Sequence, residues 1–467
     1  MVKHNQATTI GELKASGYTP VSVKQELRRN LIKMIKNHKE VFPGIIGYHD
    51  TVIPVIENAV LSGHDIIFLG ERGQAKSRLM RAIAQLLDDE IPAVKDCEIN
   101  DDPFAPICKH CRDMIAGKGD RTEIVWLGRE TRYTEKLATP DIAMADLLGD
   151  IDPIKVAEGK YLSDERTIHY GLIPRTNRGI FCINELPDLA ERLQVGLFNL
   201  MEERDVQIRG YRIQLPLDML LVASANPEDY TNRGRIISPL KDRFGSQVRT
   251  HYPLNLNDEI AIMEQEHHQF AQPGMTIFTP AYMKEIVAEI TQLSRKSPDI
   301  NQRSGVSVRV SIMNYETIIS NAVRRTIKLG EKQAVPRISD LSYISASMGS
   351  KIELEGFEEN KEDHIIDDLV HKAVLNVFNR YFSLSQLEPM VAKLPAGFSI
   401  ETSELMPAGK YVSNLKTIPG LQPAVKQISD SEKSESVAAA IEFILEGLHL
   451  NKRLNKTLSD DGTVYRS

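Results

Sequence analysis

The stretch His64-Asp65-Ile66-Ile67-Phe68-Leu69-Gly70-Glu71-Arg72-Gly73-Gln74-Ala75-Lys76-Ser77 decides how the chain folds. The apolar run up to Leu69, bounded by Gly63 and Gly70, predicts a strand buried on both faces, as a parallel sheet requires. Ser77 to Leu87 predicts a helix. Between them Gly70, Lys76 and Ser77 stand at the offsets of the phosphate-binding pattern G-x-x-x-x-G-K-S/T, with Ala75 in the place of the second glycine. In such a loop the backbone N–H groups and the helix N-terminus cradle phosphates. Lys76 sets its ammonium between the β- and γ-phosphates, and Ser77 offers its hydroxyl to Mg²⁺. The Ala75 methyl is unfavourable if that position needs φ > 0; Gly73 supplies part of the missing freedom. The alternative is a tight turn with a surface lysine. The strand before it and the helix after it argue for the nucleotide.

Further along, Gly179-Ile-Phe-Cys-Ile-Asn184-Glu185 is a second buried strand, ending where a phosphate loop needs acidic neighbours. The first such residue commonly serves the Mg²⁺ shell and the second polarises the attacking water. Asn184 can accept from a metal-bound water but brings no charge, so weaker Mg²⁺ support is expected. Leu220-Leu-Val-Ala-Ser-Ala-Asn226-Pro227 is a third buried strand, whose Asn226 can orient the lytic water. Arg243, in Ser238-Pro-Leu-Lys-Asp242-Arg243-Phe244, is a guanidinium that a neighbouring subunit's γ-phosphate could use; taken singly, a surface Arg paired with Asp242 is the plainer reading. Arg309 opens a later helix, from which it could reach the nucleotide.

Strands alternating with helices predict an α/β fold with a parallel sheet core. At roughly 150 residues per domain, 467 residues suggest about three domains. We expect an N-terminal helical segment (1–42), an α/β core (43–252) with an insert around 90–175, a helical lid (253–356) and a C-terminal helical region (357–467). The last contains a Pro-, Gly- and Ser-rich linker (394–436) and ends in a polar tail. Hydrophobic residues make up 42% and charged residues 26%, which excludes a disordered or fibrous chain. Lys+Arg 57 against Asp+Glu 64 gives −7, so a nucleic-acid motor is not favoured. No apolar h-region opens the chain and no run of about 18 apolar residues occurs, so a cytoplasmic protein without a membrane span is expected.

In this fixed order, Gly70–Ser77, Asn184–Pro187, Leu197–Arg209 (LFNLMEERDVQIR), Ala223–Asp229 and Leu240–Phe244 resemble an AAA+ ATPase of the MoxR and magnesium-chelatase I-subunit group. The likeness runs from about Phe42 to Leu354. It implies a P-loop NTPase that binds ATP and Mg²⁺. Gly70, Glu71, Arg72, Gly73, Gln74, Ala75, Lys76, Ser77 and Arg78 would form the Walker A loop, and Asn184 with Glu185 the Walker B pair. Asn226 would be sensor 1, Arg243 the arginine finger and Arg309 sensor 2, with Ile45 and Ile46 at the adenine. It further implies a hairpin insert within Thr139–Arg175, a hexameric ring, and a remodelled protein partner, often one with a von Willebrand A domain. Three other readings stand beside the remodelling motor. They are a nucleotide-binding scaffold slowed by Ala75 and Asn184, the motor of a metal chelatase, and the nucleic-acid motor already disfavoured.

Four cysteines are too few for a disulfide scaffold of this size and point to a reducing compartment. Cys108-Lys-His-Cys111 has the turn spacing of a zinc knuckle, and Cys97 supplies a third thiol. His110, between the two thiols, is expected to point away. The alternative is free thiols. Cys182, within the second strand, reads as a small buried hydrophobe.

Overall fold

Short apolar runs that cannot alternate inside and outside have to be covered on both faces, and the chain does this with a parallel sheet. The computed structural model describes residues 7–157, 165–202, 205–208, 211–227, 235–268, 273–302, 305–349, 351–354, 361–392, 394, 397–416, 418, 420–429, 431–459 and 462–466. The chain divides into two units, Met1–His251 and Tyr252–Ser467.

In the first unit five strands pair in parallel: β1 (Ile66–Leu69), β2 (Tyr133–Leu137), β3 (Gly179–Asn184), β4 (Met219–Ala225) and β5 (Ser246–Arg249). Their order is β5-β1-β4-β3-β2. The two-residue period sends Ile66, Phe68, Cys182 and Val222 to one face and Ile67, Phe181 and Ala223 to the other. The first face is covered by helices α1 (Val23–Lys36), α2 (Val52–Ser62) and α3 (Lys76–Ile83). The second is covered by side chains that include Leu193, Leu197 and Leu200 of a helix over Glu191–Glu202.

The sequence expectation for residues 1–42 needs correction here, and the sheet's edges lie where no apolar run marks them. A strand over Ile124–Gly128 pairs antiparallel with Glu90–Val94, outside the five-stranded sheet. The sheet's edges are instead Tyr133-Thr-Glu-Lys-Leu137 and Ser246-Gln-Val-Arg249, which carry no apolar run because an edge strand need not be buried on both sides. Residues 1–42 are not a separate segment. Glu26 on α1 is buried against Arg132 with bidentate contacts of 2.8 and 2.6 Å, and Val23, Leu27 and Leu31 join the sheet's core. The Thr139–Arg175 region does contain an antiparallel pair, Gly149–Ile151 with Ile168–Tyr170; its residues 158–164 lie outside the described residues.

The second unit holds long helices over Leu256–Glu266, Ala281–Ser294, Arg309–Leu329, Lys361–Tyr381 and Ser434–Leu450 around one core. The expected split at 356/357 does not divide that core, since Ile286, Ile318, Phe378 and Phe443 all belong to it. The helix over Ser434–Leu450 is apolar nearly all round and is buried from Ala438 to Leu448, as a central helix must be. A Cβ at Gly447 would lie 2.1 Å from the Phe378 ring, so only glycine lets the two helices close.

The expected linker 394–436 contains a strand, Ser399–Thr402, and helices over Ala408–Lys416 and Gln422–Ile428. The polar tail is a hairpin, Asn455–Ser459 with Gly462–Arg466, that pairs with that strand. Buried Met406, Tyr411 and Leu421 explain why these stretches are ordered despite their turn-rich composition. Among the described residues no helix is long and apolar enough to cross a membrane.

Candidate functional site

β1 ends at Leu69 and the chain turns through Gly70–Ala75 into α3. Gly70 has no room for a side chain, because a Cβ there would lie 1.9 Å from Thr250 Oγ1 and 2.3 Å from Gln74 Oε1. The buried Gln74 amide oxygen accepts from Glu71 N (3.0 Å) and from the Thr250 hydroxyl (2.8 Å), which holds the loop from inside. The Tyr48 hydroxyl lies 3.0 Å from Gln74 O and 2.7 Å from His251 O, and burial pushes its pKa up to about 12. Neither Tyr48 nor Thr250 was visible as a loop support in the sequence.

Gly73 and Ala75 both take left-handed backbone, at φ 76° and 55°. For an L-residue this costs about 1–2 kcal/mol. Ala75→Gly is therefore expected to raise stability by about 0.5–1 kcal/mol after allowing for the freer unfolded chain. A urea midpoint that stays level or falls would contradict that strain.

Lys76 is buried. Its ammonium donates to Gly70 O (2.5 Å), Glu71 O (2.9 Å) and Asn226 Oδ1 (2.5 Å). The Asn226 amide in turn donates to Glu185 Oε2 at 2.7 Å. Glu185 itself sits at φ 55°, ψ 49°, strain of the kind that collects at functional sites. Asn184 Oδ1 accepts from the hydroxyls of Ser77 (3.2 Å) and Ser224 (3.1 Å). Lys76, Ser77, Asn184, Glu185 and Asn226 thus come together at the carboxyl edge of β1, β3 and β4, where parallel sheets bind ligands.

Glu135 on β2 is a neighbour that the sequence reading missed. Asn184 Nδ2 donates to its Oε1 at 2.5 Å, while Arg81 grips it at 2.7 and 3.0 Å. Burial opposes its ionisation, but Arg81, Tyr133 and Asn184 together hold its carboxyl below the usual range. A carboxylate only accepts, so the amide nitrogen faces Glu135 and the amide oxygen faces the serines. The position is built for an amide, since an Asp there would lose a donor and meet a second carboxylate.

The remaining candidates are placed differently. Ile45 is buried in the core beside the loop and Ile46 is partly exposed; Arg72 and Arg78 are exposed. Arg243 ends a helix over Ser238–Arg243, pairs with Glu202 at 2.9 Å rather than with Asp242, and stacks 5.5 Å from the Phe198 ring centre. It precedes β5, whose Ser246 pairs with Ile66, so it lies towards the amino end of β1, opposite the phosphate loop. Arg309 opens its helix in the second unit. Cys97, Cys108 and Cys111 do come together, joined by Asp101, which the sequence reading had not included. His110 is exposed and Cys182 is buried in the sheet.

No family model matches the chain. The magnesium-chelatase subunit ChlI of Chlorella vulgaris is 28% identical over 251 residues, covering 51% of this chain and 66% of that protein. ChlI of Nostoc sp. is 28% identical over 323 residues, covering 65% and 81%. The ChlI homolog of Methanocaldococcus jannaschii is 27% identical over 240 residues, covering 50% and 60%. The chain thus spans a little under two thirds of the algal and archaeal proteins. Among solved structures, one of the complex between subunits BchI and BchD of magnesium chelatase is 20% identical, covers 70% of this chain and 98% of that one, and overlays at a TM-score of 0.35. The chain is thus similar to the magnesium-chelatase I subunits among the AAA+ ATPases, and its five-stranded parallel sheet carries a phosphate loop after its first strand.

Proposed function

We propose that this chain binds and hydrolyses ATP as a homo-oligomeric, hexameric ring in the cytoplasm and uses the energy to remodel a protein partner. The observation that carries the reading is the unbroken relay from Lys76 through Asn226 to Glu185. Phosphate oxygens would compete with the Gly70 and Glu71 carbonyls for the Lys76 ammonium. Glu185 would accept a proton from the attacking water, held in place by Asn226.

Mg²⁺ takes hard oxygen ligands, usually with several waters. The Ser77 hydroxyl and the Asn184 amide oxygen, 3.2 Å apart, suit a hydrated ion of that kind, and Glu135 supplies negative charge just beyond them. When bound, the ion offsets charge on the phosphates. Ile46, the more accessible of the pair Ile45 and Ile46, would meet the adenine. Arg243 lies at the far end of the strands from its own loop, so it would act on a neighbour's nucleotide, and Arg309 would serve as sensor 2, reporting the state of the bound nucleotide. The partner would be a protein carrying a von Willebrand A domain. Four unpaired cysteines fit a reducing cytoplasm.

The names of the relatives favour a second reading, the motor of a metal chelatase, and the neutral Asn184 favours a third, a scaffold that hydrolyses little. Steady-state turnover tests the proposal. Wild type is expected to exceed Lys76→Ala by at least about 100-fold, and mixing Lys76→Ala with Arg243→Ala is expected to restore part of the rate. Equal turnover in wild type and Lys76→Ala would leave the scaffold; no rescue at any ratio would remove Arg243 from a neighbour's site.

A further inference from the structure

We propose that Cys97, Cys108, Cys111 and Asp101 form a four-ligand structural zinc site, outside the nucleotide site. Their three Sγ atoms and a carboxylate oxygen all lie within 4.8 Å of one another. Around tetrahedral zinc, bonds of about 2.3 Å place thiolates about 3.8 Å apart, so modest tightening closes the shell.

The local backbone is shaped to make this cluster. Asp96 and Asn100 both take left-handed φ, at 61° and 57°, which folds the loop after Glu90–Val94 so that Cys97 and Asp101 turn towards one another. Each non-glycine residue in that conformation carries a cost that the surroundings have to offset. Cys108 caps the helix over Lys109–Lys118, and its sulfur accepts from Cys111 N at 3.3 Å. Cys97 Sγ accepts from Asp101 N, also at 3.3 Å. These N–H···S contacts suit sulfurs that carry negative charge, as does the positive end of the helix dipole.

Asp101 is the observation that points to a cation rather than to three spare thiols. It is 0% exposed. Its Oδ2 accepts from Ile107 N (3.2 Å) and Cys108 N (2.9 Å), while its Oδ1 has no hydrogen-bond partner among the described residues. A buried carboxylate oxygen left unpaired is costly. A divalent cation would satisfy it and would offset the charge that thiolates bring to the same pocket. Disulfide pairing could use only two of the three sulfurs. Thiolates select zinc over Mg²⁺ or Ca²⁺.

The cluster also has a structural task. The loop it closes is tied to the turn before β3. Asn100 Nδ2 donates to Arg175 O (2.8 Å), Asn177 Nδ2 donates to Ile99 O (3.1 Å), and Arg178 lies 3.4 Å from Asp102. Zinc would staple this loop and the Lys109–Lys118 helix to the start of the strand that ends in Asn184.

The test uses the full chain, purified under reducing conditions without added chelator. Elemental analysis is expected to give about one zinc per chain in wild type and less than about a tenth in Cys111→Ser. Co²⁺ added to metal-free wild type is expected to give a thiolate-to-cobalt charge-transfer band with tetrahedral d–d absorption. Asp101→Asn should shift the d–d absorption while keeping the charge-transfer band. Should Cys111→Ser fail to fold, the wild-type cobalt spectrum still decides. Less than about a tenth of an equivalent of zinc in wild type, together with no charge-transfer band, would overturn the proposal. So would full zinc occupancy in folded Cys111→Ser.

Discussion

Glu185→Gln is expected to lower ATP turnover by about 10²–10⁴-fold while ATP still binds. Gln has the same shape, tolerates the same left-handed backbone, and can still accept from the Asn226 amide through its carbonyl oxygen, as Glu185 does at 2.7 Å. What it cannot do is take a proton from water. The variant should therefore hold ATP in its triphosphate state. Single-turnover hydrolysis beside filter-binding of labelled ATP separates the two effects. Hydrolysis at the wild-type rate would show that Glu185 is not the base. Loss of binding along with hydrolysis would show instead that the side chain supports the loop.

The other large effect is on stability. Arg132→Ala is expected to cost about 3–5 kcal/mol, because it strands a carboxylate in the core. Arg132 and Glu26 side chains are 1% and 3% exposed. Their contacts are bidentate, Arg132 Nε also donates to Arg178 O at 2.8 Å, and Glu26 Oε1 accepts from Asp88 N at 2.5 Å. One ion pair therefore joins α1, the approach to β2 and the turn before β3. Chemical denaturation of Arg132→Ala and of Arg132→Met combined with Glu26→Gln gives the comparison. The double variant is expected to be the more stable of the two, because no unpaired buried charge remains. A loss below about 1 kcal/mol in Arg132→Ala would mean that water reaches the pair.

Much of this architecture could be read where one physical requirement dominates. Ile66–Leu69, Gly179–Asn184 and Met219–Ala225 are the inner strands of the sheet, and double-sided burial writes them as unbroken apolar runs. The edge strands Tyr133–Leu137 and Ser246–Arg249 escape that requirement, and so they escaped notice. The same difference separates the site residues. Lys76, Asn184, Glu185 and Asn226 sit at strand ends or in a spaced motif, while Glu135 reaches Asn184 only across a strand pairing. Asp101 is hidden for a similar reason, since two left-handed residues bend a polar loop back on itself, and nothing in residue spacing announces that. In the second unit, turn-forming residues between 394 and 436 concealed Met406, Tyr411 and Leu421, whose burial ties that stretch into the helical core.

Isothermal calorimetry of ATP with Mg²⁺ against the full chain, beside Lys76→Ala, tests the account most directly. Wild type should show saturable heat at one site per chain. Lys76→Ala removes a charge-assisted contact worth about 1.5–3 kcal/mol, so its affinity should fall by about tenfold or more. No heat from wild type, or matching affinities for the two proteins, would contradict a triphosphate seated between Gly70 and Ser77.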